Sequence, residues 1–211
     1  MGRGLFLTLE GVEGVGKSTN LSFIHEYLNA QGVDVLCTRE PGGTPLAEEI
    51  RELLLEQREE AVDANAELLL VFAARAQHLK QVVLPALERG QWVLCDRFTD
   101  ATYAYQGGGR QLPGDTIAML EALVQKGRQP DKTFFLDMDV SAGLARAQRR
   151  GEADRFESEN LEFFEKVRDA YWKRIHEDER RFAVVDASKD LIAVQQQIQK
   201  YLDELLTAHK I

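Results

Sequence analysis

Short apolar runs recur along the chain at 5–9, 33–37, 92–95, 133–136 and 182–185, and four of the five meet an acidic residue or a Gly-rich turn within two residues of their end. Runs of this length bounded by turn signals predict buried strands. The stretches between them carry apolar residues at helical spacing: Leu21, Ile24 and Leu28; Leu68, Phe72, Leu79 and Val83; Ile117, Leu120 and Val124; Leu191, Val194, Ile198 and Leu202. Strands that alternate with helices predict an α/β fold, its sheet parallel and covered on both faces. Pro85 falls inside the helical stretch 65–88 and has no N–H to donate, so that helix is expected to kink or restart. No repeat or low-complexity tract breaks the pattern, and 1–211 reads as a single domain.

Composition narrows the class. Lys and Arg number 26 against 35 Asp and Glu, a net charge of −9. An acidic chain without a long basic run is a poor general binder of nucleic acid or anionic membranes. No apolar stretch approaches the roughly 20 residues of a spanning helix. The first apolar run is too short for a signal-peptide core. The lone Cys37 and Cys95 lie inside apolar runs and are read as buried thiols. These features point to a cytoplasmic globular protein, with no nucleic-acid or membrane partner.

In open parallel sheets, ligands bind beyond the carboxyl ends of the strands. After the first run comes Gly11-Val12-Glu13-Gly14-Val15-Gly16-Lys17-Ser18-Thr19, a full match to G-x-x-x-x-G-K-[ST]. Glycines let successive backbone N–H groups turn inward around phosphate oxygens, and a helix opening near Lys17 adds its positive end. Lys17 supplies a charge for the β- and γ-phosphates, and the Ser18 hydroxyl a ligand for Mg²⁺. The bland reading, a Gly-rich turn with an incidental Lys, has the same strand–turn–helix form. Glu13 opposes the charge pattern of such a loop: it either points out to solvent or accepts a hydrogen bond from a second substrate, such as a sugar hydroxyl.

A GTPase would show D-x-x-G and [NT]-K-x-D. No Asp here has Gly three residues on, and Lys189 is followed directly by Asp190. No L-S-G-G-Q-type signature is present either. A small kinase remains, ahead of an ATPase or switch module.

Candidate acceptor-site residues follow the next two strands. Thr38-Arg39-Glu40-Pro41-Gly42-Gly43-Thr44 forms a tight turn with Arg39 placed to grip a phosphate. Phe72 and Arg75 would present a flat ring beside a forked donor, suited to an aromatic base, unless Phe72 is core and Arg75 snorkels to solvent. Asp96 closes the third strand where a Mg²⁺-holding carboxylate is expected, or else caps a helix. Arg97 follows it, and Thr102, Tyr105 and Gln106 bring hydroxyl and amide groups. Arg146, Arg149, Arg150 and Arg155 cluster in an otherwise acidic chain, with Gly151 as a hinge. They read either as a lid over the transferring phosphoryl group or as a solvated helix face.

Taken in order, Gly11 to Thr19, Thr38 to Thr44, Phe72-Ala73-Ala74-Arg75, Asp96-Arg97-Phe98, Ala104 to Arg110 and Arg150 to Arg155 resemble the bacterial thymidylate kinase family over essentially the whole chain. The resemblance implies a P-loop kinase fold with a five-stranded parallel sheet flanked by helices on both faces. It also implies phosphorylation of dTMP to dTDP by ATP with Mg²⁺, and a homodimer. By the same resemblance Phe72 stacks on thymine and Arg75 bonds a base oxygen, while Thr102 and Gln106 read the base edge. Tyr105 crowds the 2′ position, and Arg97, Arg39 and Arg51 hold the acceptor phosphate. Glu13 meets the 3′-hydroxyl region, Ser18 and Asp96 hold the metal, and Arg146 contacts ATP. The loop carries no Arg, so the lid at about 141–155 would supply it, with Arg150 the expected catalytic group beside Lys17, Arg97 and Glu13.

Overall fold

The five apolar runs become five strands, β1 (Phe6–Glu10), β2 (Val35–Arg39), β3 (Trp92–Asp96), β4 (Lys132–Asp137) and β5 (Phe182–Asp186). They form one all-parallel sheet in the order β2-β3-β1-β4-β5. The computed structural model describes residues 3–150 and 154–209, and of Arg150 the backbone alone. Nine α-helices are present among the described residues: α1 (Lys17–Ala30), α2 (Pro45–Leu55), α3 (Ala64–His78), α4 (Leu84–Glu88), α5 (Thr99–Thr102), α6 (Gly114–Gln125), α7 (Val140–Ala147), α8 (Leu161–Glu177) and α9 (Leu191–Ala208). A wide π-helical turn at Leu79–Val83 joins α3 to α4, and another at Tyr103–Gly109 continues α5. The first of these is the restart expected at Pro85. The chain re-enters helix with Leu84 N–H bonded to Leu79 O, and Pro85 sits in the first turn of α4, where no N–H is required.

Side-chain alternation divides the sheet into two faces. Leu7, Leu9, Leu94, Phe134 and Leu136 pack with Ile24 and Leu28 of α1 and Ile198 and Leu202 of α9. On the other face Phe6, Val93 and Cys95 pack on Leu79, Val83, Leu87 and Phe98, while Phe135 meets Tyr171 of α8 at 5.0 Å. Strands covered on both sides need apolar residues at both parities, which is why they read as continuous runs. The same alternation carries Thr8 and Glu10 into the second face, where each is fully buried.

Three sequence expectations change. Cys95 is buried, but Cys37 is exposed, because β2 is an edge strand and only part of it is covered. Leu191 begins α9 in solvent, and the buried stripe is Val194, Ile198, Leu202 and Leu206. Helices α2 and α8 come in addition to those that the apolar spacing predicts. The first is started by Thr44, whose hydroxyl accepts from Ala47 N–H, and by Pro45 in its first turn.

Candidate active site

The loop from Gly11 to Gly16 leaves β1 and enters α1 with Gly11, Gly14 and Gly16 at φ of 145°, 75° and 91°. Val12 and Val15 are buried in the core and pin the loop from beneath. No side chain caps the N-terminus of α1, so its first amides are available to an anion. Lys17 Nζ donates to Gly11 O at 3.1 Å and Val12 O at 2.9 Å, and lies 3.9 Å from Glu13. Burial, with the Arg97 cation nearby, pushes the Lys17 ammonium below its ordinary pKa. The loop interlocks with α7. A Cβ on Gly14 would stand 1.8 Å from Gly143 O, and one on Gly143 would stand 2.6 Å from Glu13 O.

Opposite the loop, β3 ends in Asp96 and the chain turns through Arg97 at φ 65°. Arg97 donates from Nη2 to Glu13 Oε1 at 2.5 Å and from Nη1 to Tyr171 OH at 3.4 Å, and its guanidinium lies 4.6 Å above the Tyr105 ring. Tyr105 OH also donates to Glu13 Oε1, at 3.0 Å. Glu13 therefore faces into the cleft rather than out to solvent. Asp96 does not cap a helix: α5 begins after Phe98, with no side-chain cap. Its Oδ1 is buried without a hydrogen-bond partner.

The turn is held from below by Glu10, whose carboxylate accepts from Phe98 N–H and from Tyr171 OH, both at 2.7 Å. Burial, reinforced by the Asp100 carboxylate, raises the Glu10 pKa to about 8. Asp100 is itself buried and bonded to Arg181 and Arg174.

Arg75 is 2% exposed and does not snorkel. Its Nε donates to Glu40 at 2.7 Å and its Nη2 to Thr102 Oγ1 at 2.9 Å, while Nη1 is buried with no partner. Phe72 and Phe98 flank the guanidinium at 4.8 and 4.9 Å. Glu40 also bonds His78 Nδ1 at 2.9 Å. Burial alone would raise the Glu40 carboxyl; Arg75 and His78 outweigh it and hold it below the usual range.

One cleft collects Glu13, Lys17, Ser18, Arg51, Arg75, Asp96, Arg97, Thr102, Tyr105 and Gln106. Phe72 is not on its wall. It packs against Leu68 and Ile117, and the α3 side chain that joins Arg75 on the wall is Val71, one full turn before it. Arg39 is also outside: it lies half-exposed at the edge of the sheet and pairs with Glu48 at 2.7 Å. Arg51 reaches the cleft and donates to Pro41 O at 3.0 Å. Thr19 is exposed on α1, behind the loop.

Of the Arg-rich segment, Arg146 donates to Ala187 O at 3.3 Å, beyond the end of β5, and Arg149 is exposed. Arg155 is tied down, with Nε donating to Leu54 O at 2.8 Å and Nη2 2.7 Å from Glu67. The Arg150 side chain and Gly151 lie outside the described residues. Sequence reasoning missed Glu10, Glu40, Glu67, Val71 and Tyr171. The signal for two of them was present: Glu67, Val71, Arg75 and His78 fall at offsets 0, 4, 8 and 11, one helical face.

Residues 9–198 match a family model described as thymidylate kinase. A thymidylate kinase of Teredinibacter turnerae is 62% identical over 96% of this chain and 99% of its own length. One from Hahella chejuensis is 59% identical over 96% and 97%. Among solved structures, a thymidylate kinase from Ehrlichia chaffeensis superposes with a TM-score of 0.77 at 33% identity, over 95% of this chain and 99% of that one.

Proposed function

Because this chain belongs to the thymidylate kinase family, we propose that the cleft between the phosphate loop and Arg75 is where it phosphorylates dTMP to dTDP with ATP. The observation that carries the site assignment is that two residues lining one cleft, Arg75 and Asp96, each keep a buried polar atom without a hydrogen-bond partner, Nη1 and Oδ1. An unpaired buried donor or acceptor costs about 1–3 kcal/mol, a cost that a ligand can relieve.

The loop amides from Gly11 to Ser18 and the Lys17 ammonium hold the β- and γ-phosphates. Asp96 and Ser18 are the residues that would hold Mg²⁺, which when bound supplies charge neutralisation on the β- and γ-oxygens. Two protein oxygens suffice for an ion that arrives with its phosphates. Arg97 and Arg51 face the acceptor phosphate. Glu13 and Tyr105 position Arg97, and together they form the wall toward the sugar. Arg75, Thr102 and Gln106 meet the base edge; the apolar walls are Val71 and Phe98, in place of Phe72. Arg39 is a further phosphate contact, with one nitrogen held by Glu48 and its other donors left for the acceptor.

The reaction needs no strong base, since a dTMP phosphate oxygen is already a nucleophile at neutral pH. It attacks the γ-phosphorus, the bond to the bridging oxygen breaks, and ADP leaves. Arg150 is the proposed cation at the γ-phosphoryl group, and Arg146 contacts the nucleotide beyond β5. We further propose a cytoplasmic homodimer that meets through α3 and α6, which expose Leu69, Met119 and Leu123. ADP release measured separately with dTMP, dUMP, dCMP, AMP, GMP and thymidine tests the reading. A clear preference for dTMP supports the base pocket; another preferred acceptor refutes it.

A further inference from the structure

Glu67 is fully buried on α3, directly behind Gln106. Its carboxylate accepts from Gln106 Nε2 at 2.8 Å. It also stands against two guanidinium groups: Arg110 Nε lies 3.3 Å from each of its oxygens, and Arg155 Nη2 lies 2.7 Å from Oε2. Of these three partners only Gln106 lines the cleft. Arg110 and Arg155 balance the charge; Gln106 is the one through which Glu67 can reach a substrate.

A glutamine amide is ambivalent, with a donor at one end and an acceptor at the other. A carboxylate has only lone pairs to offer, so it selects the nitrogen end. With Nε2 turned back to Glu67, the carbonyl oxygen of Gln106 is the end left for the cleft. Arg75 lines the same cleft, and its buried Nη1 is a donor that no protein group satisfies. The base-facing surface thus offers an acceptor together with a donor, and the acceptor's identity depends on a residue that touches no substrate.

We propose that Glu67 is a specificity-positioning residue: by holding the Gln106 amide with its carbonyl toward the cleft, it matches the site to a pyrimidine carrying a ring N–H beside a carbonyl. A pyrimidine with a bare ring nitrogen beside an amino group meets acceptor with acceptor and donor with donor. Thymine and uracil are of the first kind and cytosine of the second. The inference rests on the reading of dTMP as acceptor substrate.

The test compares kcat/KM of the wild type and Glu67→Gln on dTMP, dUMP and dCMP. Glutamine keeps the size of the side chain but offers either a donor or an acceptor, so the Gln106 amide is free to turn over. The dTMP-to-dCMP ratio is expected to fall about tenfold, the worth of one buried hydrogen bond. The dTMP-to-dUMP ratio, which reads only a methyl group, should not move. Glu67→Asp, which keeps the charge for Arg110 and Arg155 but draws the carboxylate back from Gln106 Nε2, carries the same expectation if Glu67→Gln does not fold. Arg110→Gln should leave both ratios as they are. The proposal is overturned if both ratios shift together, if neither moves, or if Arg110→Gln reproduces the loss. A wild type that fails to phosphorylate dTMP would overturn the reaction itself; an active wild type with an unmoved ratio in the variant removes only the role of Glu67.

Discussion

Gly14→Ala isolates the interlock between the phosphate loop and α7. The added methyl would stand 1.8 Å from Gly143 O, 2.6 Å from its carbonyl carbon and 3.1 Å from its Cα. All three are backbone atoms. Gly143 N–H is bonded to Asp139 O at 3.0 Å in a turn that the Asp139 side chain caps, so α7 cannot yield cheaply. Restoring contact distance requires the loop to move by about 1 Å or more, and a misplacement of that size costs on the order of 10²-fold in rate. A second cost comes from φ, which is +75° at Gly14 and adds about 1–2 kcal/mol for any residue with a Cβ. Gly32→Ala separates the two terms, since Gly32 has φ +80° and nothing within 4 Å of the new methyl. Gly32→Ala should lose about 1–2 kcal/mol in urea unfolding and Gly14→Ala at least as much, whereas kcat/KM for ATP should fall about 10²-fold in Gly14→Ala alone. A Gly14→Ala enzyme as active as Gly32→Ala would refute the argument.

Arg75→Lys keeps the charge but loses the fork that spans Glu40, Thr102 and the cleft, so KM for dTMP should rise about tenfold or more while KM for ATP holds; equal changes in both would remove Arg75 from the base site. Glu10→Gln bears on pH. With its folded pKa raised to about 8, Glu10 makes the native state bind more protons than the unfolded one above the ordinary carboxylate range. Its contribution is present at low pH and lost as pH rises through 8. The wild type should therefore lose stability relative to Glu10→Gln between pH 5 and 9, by on the order of 4 kcal/mol, and a constant gap in urea unfolding across that range would contradict this. Arg150→Ala should lower kcat on the order of 10³-fold with dTMP affinity nearly intact; a normal kcat would exclude Arg150. Leu123→Glu should convert the proposed homodimer to monomer in sedimentation velocity; a wild type that sediments as a monomer would refute the homodimer, and a dimeric variant would move the interface elsewhere.

The strands were legible because a parallel sheet buried on both faces writes itself as unbroken apolar runs. Which strand lies at the edge is not written there, so nothing in the runs separates the exposed Cys37 from the buried Cys95. Helix α8 carries Phe163, Val167, Tyr171 and Ile175 at four-residue steps, but its many charged residues hid the stripe. The phosphate loop was readable because backbone geometry demands particular residues at fixed spacing. On α3 the cleft wall carries Val71 where the resemblance implies Phe72. An apolar stripe on a helix is wide enough to hold both Val71 and Phe72, and only the position of α6 decides which of them it covers. Glu10, Glu40 and Glu67 stayed invisible because their partners, Tyr171, Arg75, Gln106 and Arg155, come from distant parts of the chain. A buried carboxylate becomes intelligible only once the fold brings those donors to it.

Label transfer from [γ-³²P]ATP by the wild-type enzyme, with dTMP present and with it omitted, tests the two-substrate cleft most directly. The account predicts label in dTDP, equal to the ADP formed, and little ADP when dTMP is left out. Label released as inorganic phosphate at the same rate with or without dTMP would contradict it: the loop would then serve an ATPase, and the surface around Arg75 and Gln106 would not be an acceptor site.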